Sequence, residues 1–185
     1  MTDIQQCMRD ILAHESQAVA HIPVTDGYDR AVEMIVSHVW KNKGKLITSG
    51  MGKAGQIAMN IATTFASTGI PAVFLHPSEA QHGDLGVMQD NDIMLLLSNS
   101  GKTREIVELV GLARIADVTL ATGNAPEVCP LGLTPTTSTT LMTVIGDVLV
   151  VGTMRTTGFT KEEYAKRHHG GYLGKKSRGE KEEQR

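Results

Sequence analysis

The chain has 185 residues, 41% of them hydrophobic, and 18 Lys+Arg against 20 Asp+Glu give a formal charge of −2. That length suits one domain with a sizeable core; the apolar share excludes a disordered chain, and the missing basic excess excludes non-specific nucleic-acid binding as a main activity. Cys7 and Cys129 form neither a metal pattern nor a disulfide framework, the charged start with Asp3, Arg9 and Asp10 is no signal peptide, and the longest apolar run is Ile93 to Leu97, so a soluble, cytoplasmic protein is expected.

With aromatic residues at only 4%, the core must be aliphatic. Residues 4–20 and 26–41 read as two helices, the second capped by Asp26 and carrying Ala31, Val32, Ile35, Val36 and Val39 on one face. Lys45-Leu46-Ile47-Thr48 is a short apolar strand that runs into Ser49-Gly50-Met51-Gly52-Lys53-Ala54-Gly55. A helix follows with Ile57, Ile61, Thr64, Phe65 and Thr68 at helical spacing, stopped by Gly69 and Pro71. The unit recurs at Ala72–Leu75 and again at Ile93–Leu97, the latter leading into Ser98-Asn99-Ser100-Gly101-Lys102-Thr103 and a helix from Arg104. A fourth strand is expected at Asp117–Ala121, and a last long helix from Thr134-Pro135, with proline at the first helical position. Short, wholly apolar strands alternating with helices predict an α/β fold, a three-layer αβα sandwich around a central parallel sheet. Residues 1–174 form one domain in this reading, and 175–185 a charged, solvated, mobile tail.

In open α/β sheets ligands bind beyond the carboxyl ends of the strands, where three of these four strands have polar or Gly-rich loops. Gly50-Met51-Gly52-Lys53-Ala54-Gly55 satisfies the dinucleotide fingerprint G-x-G-x-x-G, but the second strand ends in His76 rather than an acid for a ribose. That match alone supports an NAD-dependent oxidoreductase. Gly101-Lys102-Thr103 resembles the end of a P-loop, yet leucine holds position 96, where that motif needs glycine. Three hydroxyls, Asn99 and free N–H groups at a helix start suit a phosphate monoester without a metal; simple capping needs only one hydroxyl.

SGMGKAGQIA, HPSEAQHGDLG, LSNSGKTREI, EVCPLGLTPTTSTT and HHGGYLG, in this order, resemble the SIS (sugar isomerase) domain, a flavodoxin- or Rossmann-like fold, of D-arabinose 5-phosphate isomerases. The resemblance implies interconversion of D-ribulose 5-phosphate and D-arabinose 5-phosphate, the supply of Kdo (3-deoxy-D-manno-octulosonic acid) for lipopolysaccharide or capsule, and a stand-alone form without CBS domains. It also implies that no cofactor is required, that zinc or another divalent metal binds His76 as an inhibitor, and that the enzyme is a homotetramer. Two departures accompany it. His169 stands where the family has proline after its catalytic histidine, aligned with His168, and the stretch after Ile115 is shorter by about one strand and its connection.

An aldose–ketose isomerisation moves a proton between C1 and C2 through an enediolate. The resemblance assigns catalysis to Lys53, Glu105, Glu127 and His168, with one of the two glutamates as the carbon base and Lys53 neutralising oxyanion charge. From the residues alone Glu105 could serve as helix-dipole compensation, Glu127 and Lys53 as solvated loop charges and His168 as a tail histidine. The implied substrate set is Ser49, Gly50, Gly52, Gly69, Ile70, His76, His82, Ser98, Asn99, Ser100 and Thr103. His168, far along the chain beside Gly170-Gly171, is expected to reach the site of a neighbouring subunit. The alternative is a sugar-phosphate-sensing SIS module, which would keep the serine-rich loop and lose the acid–base set.

Overall fold

A computed structural model describes residues 3–112 and 117–179. The helices are α1 (Asp3–Ala20), α2 (Gly27–Met34), α3 (Gly52–Ser67), α4 (Pro77–Ala80), α5 (Arg104–Leu112), α6 (Thr137–Thr157), α7 (Lys161–Arg167) and α8 (Gly171–Ser177), and the strands β1 (Leu46–Gly50), β2 (Ala72–Phe74) and β3 (Ile93–Leu97). The strands form one parallel sheet in the order β2-β1-β3. Leu46 lies opposite Ala72 and Ile93, and Gly50 opposite Leu97, so the three carboxyl ends finish on one edge.

Strand alternation divides the core in two. Leu46 and Leu97, with the half-buried Ile93 and Leu95, pack with Ile35, Val39, Ala58, Ile61, Phe65, Met142 and Leu149 from the helical continuation of α2 over Ile35–Lys41, α3 and α6. Ile47 and Leu75, with the half-buried Met94 and Leu96, pack with Ala80 and Leu109 from α4 and α5. Both faces of the sheet are therefore covered, as the uniformly apolar strands predict. Although α6 has the length and composition of a membrane-crossing helix, half of that stretch is buried within the molecule.

Four expectations need correction. Asp117–Ala121 forms no strand; the Asp117 carbonyl accepts from Arg30, 2.9 Å away, and the Leu120 side chain lies against Gly27. This segment is thus held on the helix layer instead of extending the sheet beyond β3. The stretch after Ile115 that precedes it falls at residues outside those described. The 26–41 helix is α-helical only to Met34 and continues as a π-helix over Ile35–Lys41. Asp26 stands at the N-cap position as expected, but its side chain makes no capping bond; the Thr25 hydroxyl, one residue outside, accepts from Gly27 N–H at 3.3 Å instead. Helix α6 begins at Thr137, two residues beyond Pro135, because a remote carboxylate takes the amides of its first turn (below). Lys175 and Lys176, placed in the tail by sequence, instead stand in the last turn of α8.

The amino edge of the sheet is pinned by an ion pair. Asp92, whose side chain is fully buried, pairs with Lys45 Nζ and accepts from the backbone N–H groups of Lys45 (2.7 Å) and Gln89 (2.8 Å). Burial raises the Asp92 carboxyl pKa, but the hydrogen bonds from Lys45 and Gln89 outweigh it and leave it below the ordinary range. The pair therefore stabilises the fold above the unfolded carboxylate pKa, and that contribution disappears as pH falls through the lower folded value. Asp92→Ala leaves three donors without their acceptor and is expected to cost on the order of 3 kcal/mol, read as a lower urea midpoint.

Candidate active site

Two helix N-termini meet the carboxyl edge of the sheet. β1 passes into α3 through Met51 and Gly52, the latter in the left-handed region at φ 58°, where glycine is unstrained. A Cβ on Gly55 would run into the Gly50 carbonyl, so these glycines set the close approach of helix to strand. That structural duty accounts for the G-x-G-x-x-G pattern without a dinucleotide. No side chain caps α3, which leaves its first-turn amides, with exposed Lys53 among them, directed past the end of β1. Ser49 is fully buried and donates to the Leu75 carbonyl at 2.6 Å, so its hydroxyl is spent inside the fold and shapes the end of β1.

The neighbouring strand β3 ends in the serine-rich loop. Ser98 Oγ lies 3.1 Å from Thr103 Oγ1 and accepts from Gly101 N–H at 3.1 Å; Ser100 Oγ accepts from Lys102 N–H at 3.1 Å. Gly101, at φ 63°, turns the loop so that Ser100 and Asn99 are exposed, and the half-buried Glu105 follows in the first turn of α5. Beyond β2, His76 Nδ1 accepts from Ser78 N–H at 3.3 Å, which leaves Nε2 of the exposed ring to face solvent. His82 lies exposed after α4, and its neighbour Gln81 donates to Glu108 at 2.6 Å, tying this turn to α5. Glu108 also accepts from Arg104 at 2.7 Å. Among the described residues no three His, Cys, Asp or Glu side chains cluster as a metal centre.

Glu127 has a second occupation that its position in the sequence does not reveal. Its Oε2 accepts from Thr136 N–H (2.7 Å), Thr136 Oγ1 (2.9 Å) and Ser138 N–H (3.2 Å), so this carboxylate caps α6 from nine residues upstream. Burial raises its pKa, yet the hydrogen bonds from Ser138 and Thr136 prevail and keep it below the usual glutamate range. The loop is fixed to α1 where His14 Nε2 meets the Pro126 carbonyl at 2.9 Å. Two residues on, the Cys129 thiol is lowered to about 6 by hydrogen bonds from the Thr134 side chain and the backbone amides of Thr134, Leu131 and Leu133.

Gly69, Ile70 and His168 lie elsewhere. Gly69, at φ 86°, precedes β2 at the amino edge, and the Arg167 guanidinium rests where its Cβ would be, 2.6–2.9 Å from that point. Ile70 is 2% exposed, with its side chain in the core and its N–H donated to the Phe65 carbonyl at 3.1 Å, so it lines no open surface. Arg167 thereby anchors α7, and with it His168, against the end of β2 opposite to His76. Strand residues advance about 3.3 Å each, so the length of β2 separates the two groups.

A model of the SIS domain matches residues 39–114, the span that contains the whole sheet. A Bacteroides fragilis protein proposed as a phosphosugar isomerase of capsule formation is 62% identical, with a TM-score of 0.88, and the match covers 91% of this chain and 99% of that one. The chain belongs to the SIS family. A protein of Escherichia coli CFT073, solved in complex with arabinose 5-phosphate, is 30% identical to this SIS chain, with a TM-score of 0.79, over 91% of this chain and 100% of that one. Arabinose 5-phosphate isomerases KdsD of Shigella flexneri and Yersinia pestis are 41% and 40% identical over 94% of this chain, which spans 58% of their length. Those alignments run over 195 positions against 185 residues here, so the relatives hold positions that this SIS chain lacks.

Proposed function

We propose that this chain is an aldose–ketose isomerase that interconverts D-ribulose 5-phosphate and D-arabinose 5-phosphate through an enediolate. The observation that carries the reading is the convergence of the α3 and α5 N-termini, with Lys53, the Ser98–Thr103 hydroxyls and Glu105, on one edge of a parallel sheet. The 41% identity to arabinose 5-phosphate isomerase KdsD and the likeness to a protein solved with arabinose 5-phosphate supply the choice of sugar. Ser98, Asn99, Ser100 and Thr103 take the phosphate with the α5 amides. Gly52, placed by the buried Ser49 and Gly50 at the end of β1, faces the sugar hydroxyls with His76 and His82, and Lys53 balances charge as the enediolate forms. Glu105 or Glu127 moves the carbon proton, and His168 serves the oxygen protons.

The site is shared between subunits in this reading. Arg167 ties His168 to the amino edge beside Gly69, with Ile70 buried behind them, so His168 and Gly69 serve the carboxyl-edge loops of a neighbouring copy in a homotetramer. A phosphorylated sugar as substrate places the enzyme in the cytoplasm, and the capsule role proposed for the Bacteroides fragilis relative fits a supply of Kdo for capsule or lipopolysaccharide. A sensor would need the serine loop but neither a base nor a proton-transfer histidine.

Because the reaction transfers a proton with no net redox change, it requires no cofactor. Turnover of ribulose 5-phosphate is expected to survive exhaustive chelation and the absence of nicotinamide, while added zinc inhibits through His76. Activity lost on chelation and restored by metal would point instead to metal-assisted polarisation. Ser100→Ala removes a phosphate donor and is expected to raise KM by the loss of roughly 1.5–3 kcal/mol of charge-assisted hydrogen bonding, with kcat little changed. A fall in kcat at unchanged KM would place Ser100 at the chemistry instead.

A further inference from the structure

We propose that Tyr164 is a positioning residue for His168, holding the imidazole in one orientation and one tautomer with Nε2 free to exchange a proton. The proposal rests on the reading that His168 takes part in the isomerisation. His168 Nδ1 lies 3.0 Å from the Tyr164 carbonyl oxygen. A carbonyl only accepts, so Nδ1 carries the hydrogen and the neutral ring keeps its lone pair on Nε2. The Tyr164 ring then lies flat on the imidazole, with centroids 3.7 Å apart and planes 6° from parallel. Such a stack blocks rotation of the imidazole out of the hydrogen-bonding plane.

The clamp is itself braced. Phe159 meets Tyr164 edge-on at 6.5 Å and 76°, and the Arg167 guanidinium carbon sits 5.5 Å from the Phe159 centroid. Arg167 donates to the Glu163 carbonyl at 2.8 Å and rests on Gly69, which joins the aromatic row to the sheet. On the far side, His168 N–H donates to Tyr164 O at 3.1 Å, the His168 carbonyl accepts from Arg178 at 3.4 Å, and Gly174 leaves room for that carbonyl where a Cβ would collide with it. The imidazole is thus covered on one face and bonded at Nδ1. Among the described residues no hydrogen bond reaches Nε2, and the ring is only half-buried. A histidine that merely ended α7 would need the carbonyl contact alone; the stack and its bracing aim Nε2 outward.

The test separates ring orientation from turnover. Full-length protein labelled with ¹⁵N-histidine reports the His168 tautomer in long-range ¹H–¹⁵N spectra at alkaline pH, the signal being assigned by its loss in His168→Ala. Tyr164→Leu removes the ring but keeps the carbonyl, whereas Tyr164→Phe keeps both; Tyr164→Met replaces leucine if the assembly size changes. Wild type and Tyr164→Phe are expected to show the Nδ1–H form. Tyr164→Leu should show a mixture of tautomers and a kcat lower by roughly ten- to a hundred-fold at similar KM. A His168 tautomer unchanged in the leucine variant overturns the proposal, and an inactive His168→Ala then leaves the reading beneath it standing. Turnover retained by His168→Ala overturns that reading and the proposal together.

Discussion

Glu127→Gln is expected to lower kcat by about 10²–10⁴-fold with KM nearly unchanged if Glu127 transfers the carbon proton. The substitution suits the question because an amide oxygen can still accept from Thr136 and Ser138, so much of the α6 cap survives while the base is lost. Glu127→Ala removes both, and should add a stability loss of about 1 kcal/mol, the usual cost of deleting a cap. The pH dependence of unfolding provides a check on the cap. The folded Glu127 pKa lies below the ordinary 4.5, so its contribution is present above the unfolded value and vanishes as pH falls through the folded one. In the glutamine variant that acid-side loss should shrink. If the variant shows this stability change but keeps full turnover, Glu127 is a helix cap alone and Glu105 becomes the base.

Inactive His168→Ala protein mixed with inactive Glu127→Gln protein is expected to regain activity once subunits exchange. Arg167 holds His168 at the amino edge of its own sheet, the side away from Lys53 and the serine loop. In a shared site one chain supplies Glu127 and another His168, so random pairing gives about a quarter of sites both wild-type residues. A chain that builds its own site always lacks one of them. No recovery, with exchange demonstrated by mass-tagged subunits, would require His168 to act within its own chain.

Much of this arrangement is legible from residue order because it is set by local physics. Ile93–Leu97 is a strand because it is short, wholly apolar and closed by Ser98-Asn99, and the Gly50-to-Gly55 turn is read from glycines that must be small. The features that escape such a reading are set at a distance. Asp117–Ala121 has the residue types of a strand, yet Arg30 and Gly27, from a helix far upstream, hold it out of the sheet. The start of α6 is fixed by Glu127 rather than by Thr134-Pro135, and no local pattern marks a carboxylate nine residues away as a cap. Tyr164 and His168 do stand four apart on a helix, a spacing that places side chains together. That the rings stack, and which nitrogen is engaged, is decided by the turn of the chain after α7 rather than by the spacing.

The isomerisation itself is measured most directly by a ¹H NMR time course with ribulose 5-phosphate as the sole addition to the full-length protein. Conversion to arabinose 5-phosphate until the two sugars reach equilibrium is the expected result. Ribulose 5-phosphate that binds but stays unconverted, or that yields a different aldose phosphate, would contradict it.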